Sequence, residues 1–362
     1  MMNLPYELSS TIIGHIDPQY WSSISQSSRR LNCLFQDPHF WRKQCHKWKY
    51  SGHNQVAFRH SWCTARNWNL GRYHPQDLPT QGHVCYILDG ASGRAVGAPV
   101  GPDSVACLWD LRTGQWMIHG ARGVCAAALD GNMLVYGLRD GQILQRDIRE
   151  NRSSERLLGT HLGEVAAVAL VNGNLATGSY NGFCKVWDLR TAQPLQEKLL
   201  DSSITAVTIS RNGQNYACAT VLGAIHLSSH RVENVEMVHT DGGAINCLEY
   251  HDTRLYAGSD DGNVRIINDT GHLEKMLTSG LTSPTVSICK TRERILTGHS
   301  NGLITYRDWK GETGSSTEPL YMVEKRGIVW KLWADNEYAL SSSLDERLLI
   351  HDFRPHSHNV YC

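Results

Sequence analysis

The chain has 362 residues, in which 35 Lys and Arg balance 35 Asp and Glu. That length allows one large domain or two smaller ones, and the absence of net charge gives no bulk electrostatic case for a nucleic-acid partner. The start, MMNLPYELSS, lacks an apolar signal-peptide core, and no run approaches the roughly 18 apolar residues of a membrane span; a soluble chain of the cytoplasm and/or nucleus, without a membrane partner, is expected.

Charge is unevenly placed: residues 1–71 hold 8 Lys and Arg against 3 Asp and Glu, leaving 27 against 32 for the rest. Eleven cysteines include no C-x-x-C pair, and Cys107, Cys184, Cys218, Cys247 and Cys289 sit in apolar runs, where a reduced thiol acts as a small hydrophobe. Cys45, His46, His53, His60 and Cys63 lie close in sequence, but only His60 and Cys63 have the spacing of a zinc-ligand pair, so neither a metal nor a cofactor is expected.

Residues 1–47 show no alternation of apolar and polar positions. Asn3 is a candidate helix cap with Pro5 in the first turn, and Leu8, Ile12 and Ile16 recur at helical spacing with Ile13 beside them. Asp17-Pro18 ends that helix, and QYWSSISQSSRRLNCLFQ and DPHFWRKQCHKW read as two more short helical segments. So small a bundle carrying Trp21, Ile24, Leu31, Leu34, Phe35, Phe40 and Trp41 is expected to be completed by another protein. Residues 48–71 read as a helical linker.

From residue 72 onward the pattern changes to short alternating strands. One template, a small residue, a turn with Asp or Asn, an alternating strand and a polar stop, ends at Asp110, Asp147, Asp188, Ser229, Asn268, Asp308 and Asp352. The steps are 37, 41, 41, 39, 40 and 44 residues, the period of a four-stranded propeller blade. In GSYNGFCKVWD the Asn181-Gly182 pair predicts a type I′ hairpin turn, with a second Asn-Gly turn at Asn172-Gly173. The reading is an all-β, seven-bladed propeller over 72–362 behind a small all-α head.

Both parts resemble known families. Trp109-Asp110, Trp187-Asp188 and His161 are similar to the WD repeat, whose fold is the WD40 β-propeller. That resemblance implies a buried hydrogen-bond chain through His161, Thr177 or Ser179, Asn181 and Trp187, with Asn where the family has Asp. It also implies ring closure by a strand near Arg72–Thr80, the tail FRPHSHNVYC being the other donor. The head resembles an F-box in Leu4-Pro5-x-Glu7-Leu8, Ile12, Ile16-Asp17-Pro18, Arg29-Arg30-Leu31 and Phe40-Trp41-Arg42, with Trp21 and Ile24 as departures. ARNWNLGRYHP resembles the junction before the propeller in F-box/WD-repeat proteins.

The combination implies a substrate receptor of an SCF-type ubiquitin ligase, catalysing nothing itself; a non-catalytic scaffold whose head docks another partner is the alternative. Leu4, Pro5, Leu8, Ile12, Ile13, Ile16, Trp21 and Leu31 would bind Skp1 and, through it, a cullin-RING ligase. Substrate would be read on one rim of the ring. The positions implied are Cys85, Cys125, Ala166, Thr205, Asn246, Val286 and Trp330 at the starts of innermost strands, and Pro102, Arg139, Tyr180, Val221, Asp260, Ser300 and Leu344 at the second hairpin turns. Arg139 is the one arginine in these sets, so Arg139, Tyr180, Asn246, Asp260 and Trp330 are the expected substrate-binding patch, suited to an aromatic-anchored polar peptide rather than a doubly phosphorylated one.

Overall fold

The computed structural model describes residues 13, 15–16, 21, 33–35, 37–48, 63–65, 67–68, 74–78, 85–91, 93–99, 104–111, 113, 115–150, 155–229, 232–291, 294–308, 320–322, 327–343 and 348–354. The chain divides into two compact units, one of Met1–His74, Asn336–Tyr338 and His351–Cys362, the other of Pro75–Asp335 and Ala339–Ile350.

In the first unit the helix Pro38–Trp48 begins where Asp37 Oδ1 accepts the His39 amide at 2.8 Å, with Pro38 at the first helical position and His46 and Lys47 in the last turn. Phe40, Trp41, Gln44 and Cys45 form its buried face. Ile13, Trp21, Leu34 and Phe35 close that core, with Ile16 packed at its edge. Trp21 donates its indole N–H to the Ile16 carbonyl at 3.0 Å, and Trp41 donates to the Phe35 carbonyl at 2.6 Å. The rings of Phe40 and Trp41 meet nearly edge to face at 5.1 Å. Further along, Trp68 stacks on Phe353 at 3.5 Å and donates to the Asn336 carbonyl at 2.9 Å, while Asn67 donates to the Phe353 carbonyl.

Of the large apolar groups that the sequence shows in the head, Trp21, Leu34, Phe35, Phe40 and Trp41 cover one another within the chain. Ile13 (0% exposed) and Trp21 (5%) of the expected Skp1-binding set are core residues, and Ile16 is half-buried. Leu4, Pro5, Leu8, Ile12 and Leu31 lie outside the described residues.

The described residues form seven four-stranded sheets, as the repeat spacing predicts. Blades 1 to 6 each run through four consecutive strands, from Cys85–Ala91 in blade 1 to Leu320–Met322 in blade 6. Blade 7 takes Val329–Ala334, Tyr338–Ser343 and Leu348–Asp352, and its fourth strand is His74–Leu78, from the other end of the sequence. The strand near Arg72–Thr80 therefore closes the last sheet, which leaves no unpaired outer edge on Leu348–Asp352.

The small residue in the template has a packing cause. A Cβ on Gly137 would stand 2.3 Å from Val165 of blade 3, and one on Gly178 would stand 2.5 Å from Ile204 of blade 4. Blades approach too closely there for a side chain. Innermost strands face no further strand, and their amides are taken instead by side chains of the blade before. Asp89 accepts the Leu129 N–H at 2.8 Å, Thr208 the Tyr250 N–H at 3.0 Å, Glu249 the Lys290 N–H at 2.7 Å and Ser287 the Leu332 N–H at 2.8 Å. Alternating polar positions on these strands thus tie blade to blade.

Candidate functional site: a rim of the propeller

The second hairpin turn of each blade sets the rim. In blade 3 the Gly182 amide donates to the Ser179 carbonyl at 3.0 Å, and Gly182, at φ 86°, is the residue of this turn with positive φ. This is a three-residue connection, a type I turn followed by a left-handed glycine, and not the type I′ turn that Asn-Gly predicts. Asn172-Gly173 does form that turn, with φ of 50° and 75°. Gly141, Gly223, Gly262 and Gly302 close the corresponding turns of blades 2, 4, 5 and 6 with the same bond. Arg139, Tyr180, Val221, Asp260 and Ser300 therefore share one position, the first central residue of the turn. Pro102 and Leu344 lie outside the described residues.

The other set of positions is placed by β-bulges. Every innermost strand shifts register near its start, leaving Cys125, Ala166, Thr205, Asn246, Val286 and Trp330 without a directly opposed partner. Each is half-buried beside a buried neighbour. A bulge re-aims one side chain and interrupts alternation. In blade 1 the bulge falls between Cys85 and Ile87, so Tyr86, not Cys85, is the equivalent residue. Val286 is in register.

Two pairs of the expected patch are brought together. The Arg139 Nε lies 3.7 Å from a Glu164 carboxylate oxygen, and the Glu164 backbone carbonyl accepts both the Tyr180 amide at 3.1 Å and the Ser179 hydroxyl at 2.8 Å. Burial pushes the Cys125 thiol up to about 12, with Glu164 adding to the shift, and burial followed by Glu164 raises the Tyr180 phenol. Asn246 donates to Asp260 at 2.9 Å and to the Thr285 carbonyl of the next blade at 3.1 Å. Hydrogen bonds continue around the rim from each pair. Ser203 donates to the Tyr180 carbonyl at 2.7 Å, Val221 N–H to the Ser203 carbonyl at 3.1 Å, and Asp260 N–H to the Ala244 carbonyl at 3.1 Å. Trp330 stands two blades beyond Asn246, at its own bulge.

Glu164, Ser203, Leu162, Leu222 and Asp241 share this rim and were not among the residues singled out by sequence. For Leu162 and Leu222 the one sequence signal is a large aliphatic beside glycine, in HLGE and VLGA.

Residues 1–47 match the family described as F-box-like, and residues 153–188 and 234–268 match the WD domain, G-beta repeat. The chain has the domain order of an F-box/WD-repeat protein. Its curated relatives include meiotic fizzy-related protein 1 of Schizosaccharomyces pombe, 24% identical over 280 residues, covering 75% of this chain and 58% of that protein. The guanine nucleotide-binding protein subunit beta of Oryza sativa subsp. japonica is 27% identical over 203 residues, with 47% and 52% coverage. ROOT INITIATION DEFECTIVE 3 of Arabidopsis thaliana is 23% identical over 289 residues, with 72% and 65%. The chain thus spans between about half and two thirds of these relatives' length. A chain of the mitotic checkpoint complex superposes with a TM-score of 0.68 at 16% identity, covering 77% of this chain and 94% of that one. The computationally designed Ika8 protein gives 0.59 at 19%, with 76% and 98%. These two likenesses show the propeller fold.

Within the first matched WD repeat the buried hydrogen-bond chain runs through Thr177 rather than Ser179. The Thr177 hydroxyl lies 2.8 Å from His161 Nε2 and accepts the Trp187 indole N–H at 2.8 Å. Asn181 caps its own turn by accepting the Phe183 amide at 3.2 Å, leaving His161 Nδ1 buried without a partner among the described residues. Burial, then the charge of Lys185, holds the His161 imidazole down to about 4, so it is neutral at physiological pH. Serving a buried Thr and Trp, these residues are structural elements of the WD blade. Among the described residues no three His, Cys, Asp or Glu are grouped to hold a metal, and no helix is long and apolar enough to cross a membrane.

Proposed function

We propose that this chain is the substrate-recognition subunit of an SCF-type ubiquitin ligase, working in the cytoplasm and/or nucleus. The observation that carries the reading is an F-box-like segment placed directly before a closed seven-bladed WD propeller. The F-box holds Skp1 and through it the cullin-RING assembly; the propeller rim around Arg139, Tyr180, Asn246, Asp260 and Trp330 holds the substrate, which is ubiquitinated and degraded. The chain carries out no bond-making step. Its contribution is effective concentration: a substrate lysine tethered near the charged ubiquitin-conjugating enzyme reacts as if intramolecular.

The test is co-purification of the full chain with Skp1 and a cullin. The double variant Leu8→Ala, Ile12→Ala removes two aliphatic side chains whose burial is worth about 1.5–3 kcal/mol each, and is expected to weaken Skp1 capture by about a hundredfold or more. Wild-type capture by that variant overturns the F-box reading. Capture of Skp1 without any cullin, or substrate levels indifferent to the chain, supports a scaffold instead.

A further inference from the structure

Four large apolar side chains stand exposed on one loop and two turns of the rim: Leu162 (92% exposed), Tyr180 (55%), Val221 (48%) and Leu222 (67%). They belong to one surface, because the 161–164 loop abuts the Tyr180 turn and Ser203 bridges that turn to Val221. A Cβ on Gly163 would sit 3.4 Å from Asn181, Ser203 donates to the Tyr180 carbonyl, and Val221 donates to the Ser203 carbonyl. Exposed apolar groups gathered in this way mark a docking surface.

The charge around the patch selects the occupant. Asp140, Glu164, Asp201, Asp241, Asp260 and Asp261 lie on the loops and turns from blade 2 to blade 5, against Arg139 and the exposed Arg122 at the end of the strand that leads into blade 2, where the Gly123 carbonyl accepts the Arg139 amide at 2.8 Å. Glu164 offsets Arg139 at 3.7 Å, Arg265 offsets Asp261 at 2.7 Å, and His226 Nε2 lies 3.2 Å from Asp201. Asp140 is held by Gln142 and Asp260 by Asn246, both neutral amides, and among the described residues Asp140, Asp241 and Asp260 make no ion pair. A phosphorylated or otherwise acidic segment brought to Tyr180 and Leu222 would meet carboxylates on both sides.

We infer that the rim takes a cationic segment of a partner protein, with Lys or Arg flanking an aliphatic or aromatic anchor that covers Leu162, Tyr180 and Leu222. This rests on the substrate-rim reading and names the chemistry of what is read there. Arg139, on that account, is a selectivity element that repels part of the ligand and is masked by Glu164, rather than the group that grips it.

The experiment is a positional-scanning array of short peptides, each with one fixed residue, phosphoserine included, probed with the full chain. Lys, Arg, Leu, Ile and Tyr are expected to retain several-fold more chain than Asp, Glu or phosphoserine, with the preference fading as salt is raised. For the best-retained cationic peptide, Asp241→Lys with Asp260→Lys is expected to lower affinity about tenfold at low ionic strength, and Arg139→Glu to raise it a few-fold. Unchanged melting temperatures establish that the variants fold. A preference for acidic or phosphorylated peptides that Tyr180→Ala abolishes overturns the charge assignment while leaving the rim as the site. A cationic preference untouched by Tyr180→Ala and by the charge reversal, or an array with no preference, overturns the inference together with the rim; Skp1 capture is a separate readout and is unaffected by any of these results.

Discussion

Burial among the inner strands holds the Glu249 carboxyl up at about 8 and that of Asp89 at about 6. Both lie above the values of the same groups in an unfolded chain, so the native state binds more protons and stability falls as pH rises through that interval. Burial lowers His161, His251 and His299, which act in the opposite sense: stability falls as pH drops below the ordinary imidazole value. The melting temperature is therefore expected to peak near about pH 6.5 and to decline toward pH 8. Glu249→Gln keeps an acceptor for the Lys290 amide and should flatten the alkaline limb; a wild-type limb that is already flat contradicts the assignment. Nothing in LEYHD marks Glu249 as a half-buried carboxylate with a raised affinity for its proton. It looks like one more polar position of an alternating strand, and only the amide of a strand 41 residues away explains why it is a carboxylate.

The second hairpin turn was legible as a turn but not as a type. Asn172-Gly173 and Asn181-Gly182 carry the same dipeptide in one blade, yet the first places both residues at positive φ and the second only its glycine. The difference lies in the length of the connection: Asn172 and Gly173 are the two residues between the paired Val171 and Asn174, whereas the Gly182 amide closes a three-residue loop onto the Ser179 carbonyl. Gly182→Ala is expected to destabilise the propeller by about 1–2 kcal/mol, the cost of a Cβ in the left-handed region. Gly182→Asn should recover part of that loss, because Asn tolerates this conformation better. Equal melting temperatures for the Ala variant and the wild type would contradict the turn assignment. The turn also decides the site: it makes Arg139, Tyr180 and Asp260 equivalent, which spacing had already suggested.

At the scale of the ring, His74–Leu78 completes the blade that ends at Asp352. Deleting residues 74–78 should lower the melting temperature of the whole propeller and expose the edge of Leu348–Asp352 to aggregation, as thermal denaturation and light scattering would report. A deletion variant that melts and disperses like the wild type would show that closure does not depend on that strand. By itself the sequence determined the repeat period, the seven blades and the helical head, since each follows from short-range signals: a turn every few residues, alternation between turns, and a change of period after residue 71; between the two candidate closing segments only the pairing of His74–Leu78 with Leu348–Asp352 decided. Tertiary structure alone decided that Tyr86 rather than Cys85 occupies the first bulge, that Ile13 and Trp21 are core and not surface, and that Leu162, Tyr180 and Leu222 share one acidic rim. The reason is physical: bulge position, burial and charge environment are set by neighbouring blades and helices, and those contacts join residues that no local pattern relates.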